Sequence, residues 1–259
     1  MNSPLEQFQV TPIIRLYNEW IDLTISNHTI YMVIGVIIGI IIYRSSIVMD
    51  MRIVRSRWGI MIERFYKEVE GVVIQLLPEV GGRYIPLGII IFTFILMNNL
   101  LGIIPYSYTT TAHFIMTITM SLSIMIGVTI IGISIHKFKF LNIFVPSGLN
   151  KGGNHPSGGG YFTIRFIIPL IFLIEVISYL IRILSLSVRL SANLLSGHTL
   201  LKIVANYGLK FTISLPILLI LPISLLSAIF LLEIGVSFIQ AYVFSLLTIT
   251  YISNVHHSH

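Results

Sequence analysis

The stretch IRFIIPLIFLIEVISYLIRILSLSVRLSANLLSGHTLLKIV, Ile164 to Val204, is a long apolar run that also carries charged and polar side chains. These side chains are Glu175, Arg182, Arg189, Asn193 and His198. A charge near the centre of a bilayer costs about 2.5 kcal/mol or more, so ionisable residues in membrane helices are rare and usually functional. The run therefore carries information about both fold and function.

Helical geometry divides these groups between two faces. Glu175, Arg182 and Arg189 recur every seven residues, and a rotation of about 100° per residue returns each of them within roughly 20° of the same face. His198 lies nine residues beyond Arg189, which is about half a turn around the helix. We expect two polar environments, one at Glu175 and one at His198, separated by Arg189.

The composition indicates the class of protein. Hydrophobic residues make up 55% of the chain and charged residues 10%, and the mean hydropathy is +0.92. Because soluble domains carry about 25% charged residues, the chain is predicted to form one polytopic membrane bundle. The absence of cysteine excludes disulfides and thiolate metal sites. The net charge of +6 is spread along the chain and does not indicate nucleic-acid binding.

Hydropathy and periodicity predict an all-α membrane protein with five membrane-crossing helices and one amphipathic surface helix. The single membrane domain, 1–259, begins with an N-terminal interfacial segment at 1–27, a first span at 29–43 and the surface helix at 58–77. It continues with a hairpin of spans at 85–104 and 114–135, a loop with a glycine-rich insertion at 136–165, and a final hairpin at 166–204 and 214–252.

The last two apolar runs are longer than a membrane is thick. As helices, Pro169 to Val204 and Leu215 to Ile252 would measure about 54 and 57 Å, against a hydrocarbon core of about 30 Å. Unless they are broken, both must tilt by more than about 50°. We therefore predict a long, strongly tilted final hairpin.

The distribution of Lys and Arg predicts the orientation. Seven basic residues lie between Arg44 and Arg83 and four between Lys137 and Arg165, whereas the N-terminal segment carries one and the C-terminal tail carries none. Basic loops share one side of a membrane. Five crossings place the C-terminus on the basic side and the N-terminus on the other.

Two carboxylates stand out, because Glu175 and Glu233 are the only acidic residues after Glu79 and both lie in apolar runs. A buried carboxylate must be paired or must exchange a proton, as a proton relay requires. Glu175 could pair with Arg182 or accept protons, and Arg182 could act through that pair or directly. His198 could be a packing residue or could act together with Glu233.

Arg189 and three amides complete the set of candidate residues. A guanidinium keeps its proton, so Arg189 cannot relay protons but can attract a deprotonated carboxylate and repel positive charge. Snorkelling to the interface is the alternative interpretation, and the position in the middle of the run argues against it. Asn99, Asn193 and Gln240 can organise water or hydrogen bonds but cannot titrate.

Two other stretches superficially suggest ligand sites. The segment GLNKGGNHPSGGGY lacks the G-K-[ST] of a phosphate loop and is interpreted as a flexible connector. The closing HHSH is interpreted as a solvated tail and not as a metal site. We therefore predict no cofactor and no metal.

Five stretches carry a resemblance to a known family. They are SPLEQF (Ser3 to Phe8), FILMNNLLGIIPYSYTTTAHF (Phe94 to Phe114), FVPSG (Phe144 to Gly148), RLSANLLSGH (Arg189 to His198) and LEIGVSFIQAYVFSLLTITYI (Leu232 to Ile252). Together they resemble the subunit a family of the rotary F-type ATP synthases, in its mitochondrial branch.

The resemblance implies a proton-translocating stator subunit with two offset half-channels, which is not an enzyme by itself and binds no nucleotide. The arginine matching Arg189 faces the carboxylates of the rotating c-ring. Glu175 matches a residue of the matrix half-channel, and His198 with Glu233 matches the intermembrane-space half-channel. The glutamine matching Gln240 lies near the arginine. The family commonly has an acidic residue where this chain has Asn254.

The resemblance also implies the surroundings of the chain. The expected partners are the c-ring, the peripheral stalk and other membrane-sector subunits, a second copy through a synthase dimer, and membrane lipid. The expected location is the mitochondrial inner membrane, with the N-terminus in the intermembrane space and the C-terminus in the matrix.

Two other classes of membrane protein fit the sequence less well. A secondary transporter would carry internal repeats and helices interrupted at the membrane midplane, and we find neither pattern. A haem subunit would need paired histidines deep on facing helices, whereas His198 is the only histidine well inside an apolar run.

Overall fold

The described part of the chain forms six helices. The structure is a computed structural model, and it describes residues 8–15, 17–18, 21–22, 24–49, 57–104, 107–136, 160–214 and 220–257. Within these ranges the helices are α1 (Asn27–Met49), α2 (Arg57–Leu76), α3 (Gly81–Ile103), α4 (Phe114–His136), α5 (Gly160–Ser214) and α6 (Ile220–His257). All except α2 are long and apolar enough to cross a membrane. The predicted fold class, an all-α membrane protein with five such helices, is confirmed.

Four short strands precede α1. Strand β1 (Pro12–Ile14) pairs with β4 (Ile25–Ser26), and between them β2 (Tyr17–Asn18) pairs with β3 (Ile21–Asp22), in both cases antiparallel. The sequence pattern predicts no strands in this segment. Proline at position 12 disfavours a helix, and the extended backbone then satisfies its polar groups by pairing.

Helix α5 is longer than predicted at both ends. It begins at Gly160 and ends at Ser214, whereas the sequence analysis predicted a loop up to residue 165 and an end at residue 204. After the first turn, each added residue contributes one backbone hydrogen bond, so the helix extends through 160–165, where no proline interrupts it. Residues 137–159 of the predicted loop lie outside the described residues.

The two ends of α6 also differ from the prediction. The helix begins at Ile220 and not at residue 214, which belongs to α5, and residues 215–219 lie outside the described part. It continues past residue 252 to His257. Two contacts hold this last turn, since Ser253 Oγ donates to the Leu76 carbonyl at 2.8 Å and the Tyr84 hydroxyl lies 3.0 Å from His256 Nε2.

Helices α5 and α6 form an antiparallel pair, with a register that can be read from their contacts. The facing residues, in order along α5, are Arg182 with Tyr251, Asn193 with Gln240, His198 with Glu233, and Gly208 with Pro222. The membrane-compatible parts of the two helices contain 40 and 35 residues, about 60 and 52 Å at 1.5 Å per residue. Both lengths exceed the hydrocarbon thickness of about 30 Å. We therefore still expect both helices to tilt strongly in a bilayer.

Helix α3 is central and packs against α1, α2 and α6, while α4 packs against α5 and α6. Because lipid is as apolar as leucine, membrane helices associate mainly through close packing of small residues. Several buried serine and threonine hydroxyls donate hydrogen bonds to carbonyls of their own helices. They include Thr117, Ser121, Ser187, Ser191, Ser245 and Thr248.

The amphipathic helix α2 occupies nearly the predicted range. Its buried residues Val69 and Val73 belong to the hydrophobic cluster that includes residues of α3 and α6. On its outer side Lys67 Nζ lies 2.8 Å from Glu63 Oε1. The apolar stripe of the helix is therefore covered by the bundle, and its charged residues face outward.

Gly35 permits the contact between α1 and α3, and its replacement is expected to weaken that contact. A Cβ at Gly35 would lie 2.7 Å from Asn98 Oδ1. Asn98 is 2% exposed and cannot move freely, because its Nδ2 donates to the Phe94 carbonyl at 2.8 Å and its Oδ1 accepts from Thr110 at 3.3 Å.

We expect Gly35→Ala to destabilise the chain by about 1–3 kcal/mol, the usual cost of overpacking. Thermal unfolding of the protein purified in detergent measures the effect. Gly127→Ala on α4 is the matched control, because a Cβ there meets no atom within 4 Å. Equal melting temperatures for the two variants would contradict the proposed role of this contact.

Candidate functional site

The centre of the site is a pair of ionisable groups on facing helices. His198 Nε2 on α5 lies 3.3 Å from Glu233 Oε1 on α6, and the two side chains are 12% and 3% exposed. Gly197 allows the close approach, because a Cβ there would lie 3.1 Å from the same Oε1. The short separation lacks hydrogen-bond alignment, so these atoms have no hydrogen-bond partner among the described residues.

A cavity of about 360 Å³ lies beside this pair, between α3, α5 and α6. Its polar lining includes Asn99, Asn193, Glu233, Ser237 and Gln240. Asn193 Nδ2 donates to Gln240 Oε1 and Asn99 Nδ2 donates to the Ser237 carbonyl, both at 3.4 Å. Sequence reasoning therefore named four residues, Glu233, Asn99, Asn193 and Gln240, that share one cavity.

Several buried polar atoms around this cavity lack a hydrogen-bond partner among the described residues. They are Asn99 Oδ1, His198 Nε2, both Glu233 carboxylate oxygens, Ser237 Oγ and Gln240 Nε2. Buried polar groups are costly unless they are hydrogen-bonded. A cavity of this size with several polar partners is suited to holding water.

Arg189 lies outside this cavity, on the exposed side of α5. The buried stripe of the helix is formed by Ile183, Leu186, Leu190 and Leu194. Arg189 is exposed, and the described residues provide no carboxylate within 4 Å of it. The exposed side of α5 around it combines large apolar residues, such as Leu184, Val188 and Leu195, with polar ones, such as Ser185 and Asn193. Nine residues separate it from His198, about 13.5 Å along the helix.

Arg182 has a partner that sequence reasoning missed. Its guanidinium lies over the Tyr251 ring, 4.9 Å from the ring centroid, a distance suited to a cation–π interaction. Glu175 belongs to α5, but its side chain lies outside the described part, so the predicted pair with Arg182 stays a prediction.

A second polar cluster joins the start of α1 to the segment before α4. The sequence pattern does not predict this cluster. The ring of His28 lies 5.5 Å from that of His113 and 5.9 Å from that of Tyr108, and the Tyr108 hydroxyl is hydrogen-bonded to His113 Nε2. Burial raises the pKa of Tyr108 to about 12. Burial, and then the neighbouring His28, lower the pKa of His113. Because charging His113 is disfavoured, the cluster favours its neutral, packed form.

The chemistry available at the main site is proton exchange. A carboxylate and an imidazole can each bind or release a proton, and the surrounding amides can orient water but cannot titrate. Among the described residues, no group of three or more histidine or acidic side chains could hold a metal ion. Arg189 supplies a fixed positive charge on the outer side of the same helix.

Comparison with known proteins identifies the family. A profile of the family described as ATP synthase A chain matches residues 29–253. A protein named ATP synthase subunit a from Trichophyton rubrum is 40% identical over 256 residues, covering 96% of this chain and 94% of the relative. Relatives with the same name occur in Dictyostelium discoideum (36% over 262 residues, 100% of both chains) and Candida albicans (35% over 255 residues, 97% of both). The chain therefore belongs to the ATP synthase A chain family and is a proton-translocating subunit of the membrane sector, not an enzyme by itself.

Proposed function

We propose that α5 and α6 provide two offset half-channels to the carboxylates of a rotating c-ring and that Arg189 separates them. One observation carries the proposal. Arg189 is exposed and has no carboxylate partner among the described residues, and helical periodicity puts it on the opposite side of α5 from His198, which faces the buried Glu233 of α6. A charge on an apolar face needs a partner, and a carboxylate on a neighbouring ring satisfies that need.

The inlet half-channel uses His198 and Glu233. A proton enters from the intermembrane space, reaches this pair and neutralises a ring carboxylate that has been held by Arg189. Asn99, Asn193 and Gln240 line the adjacent cavity and organise its water, because amides form hydrogen bonds without titrating. The neutral ring carboxylate can then face lipid.

The outlet half-channel uses Glu175. After nearly a full turn of the ring, the carboxylate loses its proton near Glu175 to the matrix and is attracted again by Arg189. Arg182 lies on α5 seven residues from both Glu175 and Arg189 and faces Tyr251 of α6. The two side chains contribute a polar environment between the outlet and Arg189. Each charge that crosses 100 mV releases about 2.3 kcal/mol, so several protons are needed for one ATP.

We further propose the inner mitochondrial membrane as the location, with the N-terminus in the intermembrane space and the C-terminus in the matrix. The matched relatives from fungi and amoebae and the positions of the basic residues support this assignment. Peripheral-stalk and other membrane-sector subunits, a second copy in a synthase dimer, and lipid would cover the remaining exposed apolar surface.

The orientation predicts protection of the segment 137–165 from the outside. Its four basic residues, Lys137, Lys139, Lys151 and Arg165, are cleavage sites for trypsin. Trypsin added to intact mitoplasts should leave the segment uncut, and it should cleave there once the inner membrane is opened. Cleavage in intact mitoplasts would reverse the proposed orientation.

The exposed face of α5 provides a direct test of ring contact. The chain has no cysteine, so single Ser→Cys variants add one reactive group. Ser185 and Ser196 are exposed, whereas Ser187 and Ser191 on the same helix are buried. In the assembled complex we expect cysteines at 185 and 196 to cross-link to ring subunits through a short bifunctional reagent.

The matched controls are Ser187→Cys and Ser191→Cys, which should give no ring cross-link. Mass spectrometry of the cross-linked products identifies the partner. Cross-links from the buried positions only, or none from either exposed position, would contradict the proposed docking of the ring on this face.

A further inference from the structure

The motif SPLEQF ends at Phe8, and the structure places this residue against His198. The Phe8 and His198 ring centroids are 6.4 Å apart, with an angle of 74° between the ring planes. Phe8 is partly buried and packs against the hydrophobic cluster of the bundle. Residues 3–7 of the motif lie outside the described part. The N-terminal segment therefore contacts the imidazole that faces Glu233.

The chain immediately after Phe8 is tied to the start of α1 by Asn27. Asn27 Nδ2 donates to the Gln9 carbonyl at 3.3 Å, and the Thr11 N–H donates to Asn27 Oδ1 at 3.2 Å. The Asn27 N–H in turn donates to the Thr11 carbonyl at 3.2 Å. Pairing of β1 with β4 reinforces this attachment. Phe8 is thus presented by an anchored segment.

We infer that Phe8 is a positioning residue of the inlet half-channel, which covers one side of the His198 imidazole and keeps its Nε2 close to Glu233. The inference rests on the proposed function, in which His198 and Glu233 transfer protons. A large aromatic ring against the imidazole excludes water from the contact, and it also hinders the rotation that would take Nε2 away from Oε1. Proton transfer depends on such geometry, because it requires donor and acceptor within hydrogen-bond reach.

Replacement of Phe8 tests the positioning role. In the assembled complex, Phe8→Ala should lower ATP-driven proton pumping by about tenfold, because it allows a reacting group to move out of place. Phe8→Tyr keeps the ring and should restore most of the rate. Asn27→Ala, which releases the anchor, should lower pumping in the same direction. Phe114→Ala, at an exposed phenylalanine of α4, is the matched control and should pump at the parental rate.

Accessibility provides a second measurement that does not require pumping. His198→Cys introduces the only cysteine of the chain, beneath the Phe8 ring. In the detergent-purified complex, a water-soluble thiol reagent should label this cysteine several-fold faster when Phe8→Ala is also present. Adding Phe114→Ala instead should leave the labelling rate unchanged. Equal labelling rates with and without the Phe8→Ala substitution would overturn the covering role.

The Phe8 variants test the positioning role, and the His198 variant tests the proposed inlet on which that role depends. Normal pumping by assembled Phe8→Ala, combined with loss of pumping in His198→Ala, would overturn the positioning role and leave the proposed inlet intact. Normal pumping by His198→Ala would overturn the inlet itself, whatever the Phe8 variants do. Slow pumping by Phe8→Ala with rescue by Phe8→Tyr, together with faster labelling, supports the inference.

Discussion

Glu233→Gln is expected to slow ATP-driven proton pumping by at least about tenfold, because acid–base groups commonly contribute roughly 10²–10⁴-fold to proton transfer. Glutamine preserves the size of the side chain and can still form hydrogen bonds in the cavity, but it cannot bind and release a proton. The carboxylate is 3% exposed beside His198, and no other acidic side chain among the described residues lines the cavity. Pumping into vesicles that carry the assembled complex measures the effect.

Glu175→Gln should slow pumping as well, because it removes the proposed proton acceptor of the outlet half-channel. The matched control is Glu79→Gln, at an exposed carboxylate outside both half-channels, and it should retain parental pumping. Assembly of each variant is checked by the amount of intact complex. Parental pumping rates in both Glu233→Gln and Glu175→Gln would leave the two residues as structural groups only.

Arg189→Ala is expected to abolish coupled ATP synthesis. The proposed attraction between the guanidinium and a deprotonated ring carboxylate is lost, so the ring site no longer releases its proton at the correct position. Arg189→Lys keeps a positive charge but loses the planar guanidinium and can shed its proton when poorly solvated. It should also block synthesis. Synthesis of ATP in energised vesicles measures both variants, and normal synthesis by the alanine variant would refute the role in proton release.

The sequence is sufficient to predict the parts of the fold that depend on local pattern. Apolar runs predict five crossing helices, and the helical spacing of apolar and charged positions in 58–77 predicts α2. The seven-residue step from Glu233 to Gln240 correctly places both on one face, where they line a common cavity. Composition and helical periodicity are properties of each segment alone, so they can be read without the structure.

Contacts between segments could not be predicted in this way. The pairing of Arg182 with Tyr251 depends on the register of α5 against α6, which no local pattern determines. The contact of Phe8 with His198 depends on a β-paired segment whose strands are only two or three residues long. Helix ends such as Gly160 and His257 depend on tertiary contacts or on helix propagation, and not on the limits of the apolar run.

The exposed face of α5 can be identified by combining the sequence with the structure. Sequence periodicity puts Arg189 on the face of Arg182 and away from His198, and the buried stripe that includes Leu186 and Leu190 shows which side of α5 the bundle covers. Together they leave Arg189 available to a neighbouring subunit. In the proposed mechanism, this charge both promotes proton release from the ring carboxylate and blocks direct proton passage between the half-channels.

Passive proton flux through vesicles carrying the assembled Arg189→Ala complex tests this account most directly. The flux is measured down an imposed gradient, with and without a reagent that blocks the ring carboxylates. We expect a leak in the alanine variant that the reagent abolishes, a smaller leak in Arg189→Lys, and none in the parent. A fully assembled alanine variant without any reagent-sensitive leak would contradict the claim that Arg189 separates the two half-channels.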